Sequence, residues 1–187
     1  MIDCRLPNLL VRMRRVAAPT AAAWLLAAAC VLSATSARAD AALEINTLLA
    51  RGDLNAALLR AESASAANPR DVQLRFLHAL VLMDLQRNRE AMARFSALSQ
   101  DFPELADPYN NLALLHVRAQ ELQQARAALE AALRNDPGHR AARANLGQVH
   151  LMLAVQAWEQ LARTGSLDAQ QQRQLDAARA LLTSLPR

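Results

Sequence analysis

The stretch NPRDVQLRF (68–76) is followed by FPELADPYN (102–110) and DPGHRAARA (136–144). Each holds a proline in its second place, Pro69, Pro103 and Pro137, and the two intervals between them are equal. Proline has no N–H and its ring clashes with the preceding turn, so it ends helices rather than continuing them. A proline on a fixed interval therefore punctuates helices on a fixed interval.

Other breakers fall between: Gly52-Asp53, Arg87-Asn88, Asn135-Asp136-Pro137-Gly138 and Gly165-Ser166. The segments they bound, roughly 12 to 16 residues long, are rich in Ala, Leu, Arg, Gln and Glu, which are strong helix formers. Apolar residues recur at three- and four-residue spacing, as at Leu112, Leu115, Ala119 and Leu122, the period of an amphipathic helix. Asp107-Pro108 reads as an N-cap followed by a proline in the first turn, where a missing N–H costs nothing. The chain is predicted to be all-α and built from helix pairs.

Units opened at Arg38, Val72, Ala106 and Arg140 align residue by residue. The third shows Tyr109, Leu112, Ala113 and His116, then Ala125, Leu129, Ala132 and Pro137. The second shows Ala91, Phe95, Leu98 and Pro103, and the first Ala57, Ala61, Ala64 and Pro69. This resembles the tetratricopeptide repeat, a helix–turn–helix unit of about 34 residues with small residues where its two helices meet. "YNNLALLH" (109–116) and "RANLGQVH" (143–150) match best, and Leu146-Gly147 supplies the Leu-Gly pair outright.

The resemblance implies a right-handed α-solenoid of about three helix pairs, a long helix in the fourth unit and a C-terminal capping helix. The units are a degenerate first (40–71), a second (72–105), a third (106–139), and a partial fourth with the cap (140–187). No turn glycine follows "RANLGQVHLML", so one helix is expected from 139 to 163. A last helix is expected over Leu167–Leu182, capped by Ser166. The run "RANLGQVHLMLAVQAWEQ" also resembles exported proteobacterial tetratricopeptide proteins, some of which carry a domain associated with peptidoglycan enzymes.

Positions 1–39 read as a secretory signal. Arg5, Arg12, Arg14 and Arg15 precede an uncharged, mostly apolar run, Val16–Leu32, and Ala37-Arg38-Ala39 gives a small-x-small cleavage site. Cleavage is expected after Ala39, with a periplasmic or secreted product and no membrane contact afterwards. A start at Met13 would give a leader of more usual length. Two alternatives carry weaker signals. An uncleaved anchor would need a longer span than Val16–Leu32. A lipoprotein at Cys30 would need a large apolar residue three positions before it, which "LLAAAC" lacks.

Removing this segment changes the charge. Of 21 basic residues, all arginine, five lie within 1–39, as does one of 17 acids, so sixteen of each remain. A balanced chain offers no basic face for nucleic acid. Both cysteines, Cys4 and Cys30, lie in the leader, so the rest is held by its core without a disulfide.

No catalytic pattern emerges. His116 and His150 share the aromatic slot of their units and read as packing residues, His139 sits in a Pro-Gly turn and reads as exposed, and no cysteine or H-E-x-x-H spacing supports a metal. Ser63, Ser65, Ser96 and Ser99 are expected on helix faces without nearby bases. Glu90–Arg94 and Glu130–Arg134 read as surface pairs. Neither cofactor nor metal is expected, and the chain is read as a non-enzyme.

What the resemblance implies is a peptide-binding groove lined by the first helix of each pair. Repeat position places Phe76, Leu80 and Met83 there from unit two, Asn110, Asn111, Leu114 and Val117 from unit three, and Asn145 and Gln148 from unit four. Asn111 and Asn145 occupy one slot and could replace the water of a ligand backbone. The slots where relatives carry a basic carboxylate clamp hold Gln73, Phe76, Asp107 and Asn111. An apolar segment of another envelope protein is the expected partner. The alternatives are a homodimer through the same face and an accessory role in peptidoglycan modification.

Overall fold

The computed structural model describes residues 38–184. The expected leader lies outside them apart from Arg38 and Ala39, which open helix α1 (38–51). Seven more helices follow: α2 (Leu54–Ala67), α3 (Val72–Asp84), α4 (Asn88–Asp101), α5 (Ala106–Arg118), α6 (Leu122–Asn135), α7 (Arg140–Thr164) and α8 (Ala169–Ser184). No strand occurs among the described residues, and none of their helices is long and apolar enough to cross a membrane.

Both kinds of turn repeat at the proline interval. Within a pair the chain turns at Gly52, Gln86 and Gln120, which have φ of +77°, +60° and +62°. After each, an N–H reaches back along the first helix: Asp53 to the Leu48 carbonyl, Arg87 to Leu82 and Glu121 to His116. This closure satisfies the last carbonyls of the first helix and needs a left-handed residue at its corner. Between pairs, Asn68, Phe102 and Asp136 end helices, and their carbonyls accept from the N–H groups of Asp71, Leu105 and His139. Each proline follows immediately after.

Helix starts depend on caps, and here some expectations change. Asp71 caps α3 by accepting from the Leu74 N–H at 3.0 Å. Helix α5 begins at Ala106, with Leu105 at its N-cap and no side-chain cap bond, so Asp107 lies inside the first turn rather than before it. Helix α8 is capped by Asp168, not Ser166. Asp168 Oδ1 accepts from the N–H groups of Gln170 and Gln171 while Gln171 Oε1 accepts from the Asp168 N–H. That reciprocal box satisfies more free donors than a lone serine just upstream.

The core runs through the stack as small-against-large contacts. Ala57, Ala61 and Ala64 pack with Ile45, Leu74 and Leu77. Ala79 and Ala91 let Phe95, Leu82 and Leu115 close in, and Ala113, Ala125 and Ala132 do the same around Leu129 and Val149. Phe95, at 0 % exposure, is the largest of these, and truncating such a ring costs about 3–5 kcal/mol. Helix α5 packs on α4, α6 and α7, so neighbouring pairs touch through first helices as well as through the pair interface.

Candidate functional site

The residues assigned to the groove lie on α3, α5 and α7, but the structure divides them into two groups. Phe76 is partly buried, with its ring edge-on to Phe95 at 5.4 Å between centroids. Leu80 and Leu114 pack partly against the same core cluster and Val117 against the next, each keeping some surface. Asn111 and Gln148 are also partly exposed. Asn111 donates from Nδ2 to the Asp107 carbonyl at 2.9 Å, which leaves its Oδ1 and one N–H for other partners.

Met83 and Asn110 are corrections, while Asn145 keeps some surface. Met83 is 8 % exposed and belongs to the core with Phe95 and Leu82. Asn110 is also 8 % exposed, and its Oδ1 accepts from Asn145 Nδ2 at 2.9 Å. Two amides placed in a ligand groove thus bond one another between adjacent pairs. Repeat position alone could not show this, because it orders residues within a unit and not across units.

The histidines differ from one another. His116 Nδ1 lies 2.6 Å from Glu121 Oε2, while His150, in the same slot, is exposed. His139 is not the free turn residue expected. Its Nδ1 accepts from the Ala142 N–H at 3.0 Å and its Nε2 donates to Asp107 Oδ1 at 3.0 Å. His78 is buried at 3 % exposure, and its Nδ1 lies 3.1 Å from Ser65 Oγ, so Ser65 does have a histidine beside it. Burial first, then the Arg94 charge, pushes the His78 ring below its ordinary range. That weakens it as a base, and among the described residues no carboxylate bonds its ring. Among the described residues no group of three or more His, Cys, Asp or Glu is placed to hold a metal ion.

Surface pairing also shifts. Glu90 pairs with Arg87 through two contacts of 2.7 Å rather than with Arg94, and Glu130 lies 3.7 Å from Arg126 rather than pairing with Arg134. Each acid takes the arginine on the preceding turn.

No family model matches this sequence, and no curated protein matches it. Solved structures do match. The first TPR of Spaghetti (RPAP3), bound to the HSP90 peptide SRMEEVD, is 17% identical, with 63% of this chain and 93% of that one covered and a TM-score of 0.58. The TPR domain of P58(IPK) is 17% identical, with 89% of this chain and 46% of that one covered and a TM-score of 0.62. MamA is 18% identical, with 74% and 86% covered and a TM-score of 0.55. With its helix pairs, its evenly spaced turns and these likenesses, the chain has the fold of tetratricopeptide-repeat solenoids.

Proposed function

We propose that the chain is a non-catalytic interaction scaffold that holds a peptide segment of a partner protein on the face shared by α3, α5 and α7. The observation that carries this is one strip of partly exposed residues on successive first helices. Phe76, Leu80, Leu114 and Val117 supply apolar contact, with Asn111 and Gln148 beside them. Extended or helical peptides are recognised in this way, through pockets for apolar side chains and a few amides for the backbone. The peptide-bound RPAP3 domain supports the reading by its fold.

The segment held is apolar rather than ended by a carboxylate. Asp107, on the rim of the strip, is negative and already engaged by His139. The layout of residues 1–39 supports work in the cell envelope.

The experiment is capture from an envelope extract by the purified protein and by an Asn111→Ala, Gln148→Ala variant of unchanged helicity. A partner held by the first and lost by the second supports the groove. A partner held equally by both removes it.

A further inference from the structure

The left-handed corners at Gly52, Gln86 and Gln120 are evenly spaced, and the next step of the same interval lands on Ala154. There the chain does not turn. Ala154 lies inside α7, which runs unbroken from Arg140 to Thr164. Gln86 and Gln120 also carry a Cβ and still turn, but alanine is a stronger helix former than glutamine or glycine and favours the straight helix.

The missing turn leaves a seat empty. In the first three units one slot of the first helix is covered by the second helix: Ile45, Ala79 and Ala113 are each 0 % exposed. The same slot in α7 is Gly147. It is exposed, and nothing lies within 4 Å of where its Cβ would be.

The covering helices share one pattern. They present residues at i, i+4 and i+7, namely Ala57, Ala61 and Ala64, Ala91, Phe95 and Leu98, or Ala125, Leu129 and Ala132, none more than 3 % exposed. The far half of α7 has the same spacing in Ala154, Trp158 and Leu161. Trp158 is only partly buried and Leu161 is 41 % exposed. At about 100° per residue, all three fall within about 40° of Gly147 around the helix. Helix α8 packs on α7, joined by the Arg179–Glu159 ion pair at 2.6 Å, and leaves both Gly147 and Leu161 open.

One face of α7 thus carries an empty seat at its start and a covering pattern at its end. A straight helix cannot fold onto itself. A second copy running antiparallel can cover the seat and have its own covered at the same time, which is the self-complementarity a twofold interface requires. We infer that this chain forms a homodimer through antiparallel pairing of α7, with Gly147 of each copy against Ala154 and Trp158 of the other. A lost hinge turn that sends a helix to a neighbouring copy is a low-cost route to such a dimer. This face is distinct from the proposed peptide strip: Gln148, the strip's residue on α7, lies about 100° round the helix from Gly147.

The test is the solution mass of the full chain across a concentration series, with a Gly147→Leu variant beside it. A Cβ added there has nothing within 4 Å, position 147 is exposed, and leucine favours helix over glycine, so the fold is kept while the seat is filled. The expected result is a mass of two copies for the native chain and of one copy for Gly147→Leu, whose melting temperature is equal or higher. A native chain that stays single throughout overturns the inference. So does a dimer that Gly147→Leu leaves intact, or one lost instead in Asn111→Ala, Gln148→Ala, which would place the interface on the peptide strip.

Discussion

Asn145 on α7 donates its Nδ2 hydrogen to Asn110 Oδ1 on α5 at 2.9 Å, across adjacent helix pairs. Asn110 is 8 % exposed, so few waters can replace its partner. Losing one member of a buried hydrogen bond costs about 1–3 kcal/mol, more than the bond contributes when present. Asn145→Ala is expected to lower stability to urea by about that much. The Asn110→Ala, Asn145→Ala double variant should lose less than the sum of the singles, because no polar group is then left without a partner. Additive losses would show that the two amides do not act as a pair.

His78 gives the fold a pH dependence with a definite sign. Its ring is held below the ordinary value of 6.5, chiefly by burial and then by Arg94. The unfolded chain therefore takes up a proton at a higher pH than the folded one. Where the unfolded state binds more protons, stability rises with pH. The expected result is full stability from this group above about pH 6.5, with a loss as pH falls below that toward the lower folded value. His78→Leu places the residue found at Leu112 and Leu146 in the same slot. It should flatten this part of the profile, read as urea midpoints at a series of pH values. An unchanged slope in the variant would assign the dependence to other groups.

The helix ends were legible in the sequence because they follow from punctuation. Pro69, Pro103 and Pro137 fix where second helices stop, and the repeat interval then places the starts at Val72, Ala106 and Arg140. The long α7 was also legible, as the absence of a breaker. Caps were less so: Ser166 and Asp168 are both good cap residues, and only the position of Gln171 decides between them. The candidate site was legible as helix faces but not as contacts. Asn110 and Asn145 stand on different units, and no rule within one unit shows that they bond. His139 departs from expectation for a similar reason. Its Pro-Gly surroundings suggest exposure, while its position just before α7 makes its ring a cap.

Two of the three left-handed corners are glutamines. Gln86 and Gln120 have φ of +60° and +62°, whereas the first corner is Gly52. A residue with a Cβ pays about 1–2 kcal/mol there, partly offset in glycine by the greater freedom of the unfolded chain. Gln86→Gly and Gln120→Gly are each expected to stabilise the protein by about 0.5–1 kcal/mol, and to add when combined. Thermal unfolding checks this. A loss of stability in either variant would mean that the glutamine side chain makes a contact worth more than the strain.

His139 holds two positions at once, and variants can separate them. Its Nδ1 accepts from the Ala142 N–H, so that nitrogen carries no hydrogen and the ring proton sits on Nε2, which faces Asp107 Oδ1. His139→Ala removes both contacts and is expected to cost about 1 kcal/mol, the usual loss for a helix cap. His139→Asn restores the cap and should recover most of that, since asparagine is among the strongest cap residues. His139→Asp restores the cap equally well by itself but faces the Asp107 carboxylate. It should fall short of asparagine by a few tenths of a kcal/mol, and the shortfall should shrink as salt is added, because exposed charges are screened. Urea midpoints at low and high salt for the three variants test the order. If aspartate equals asparagine at low salt, Asp107 contributes nothing here and the cap accounts for the whole effect of His139.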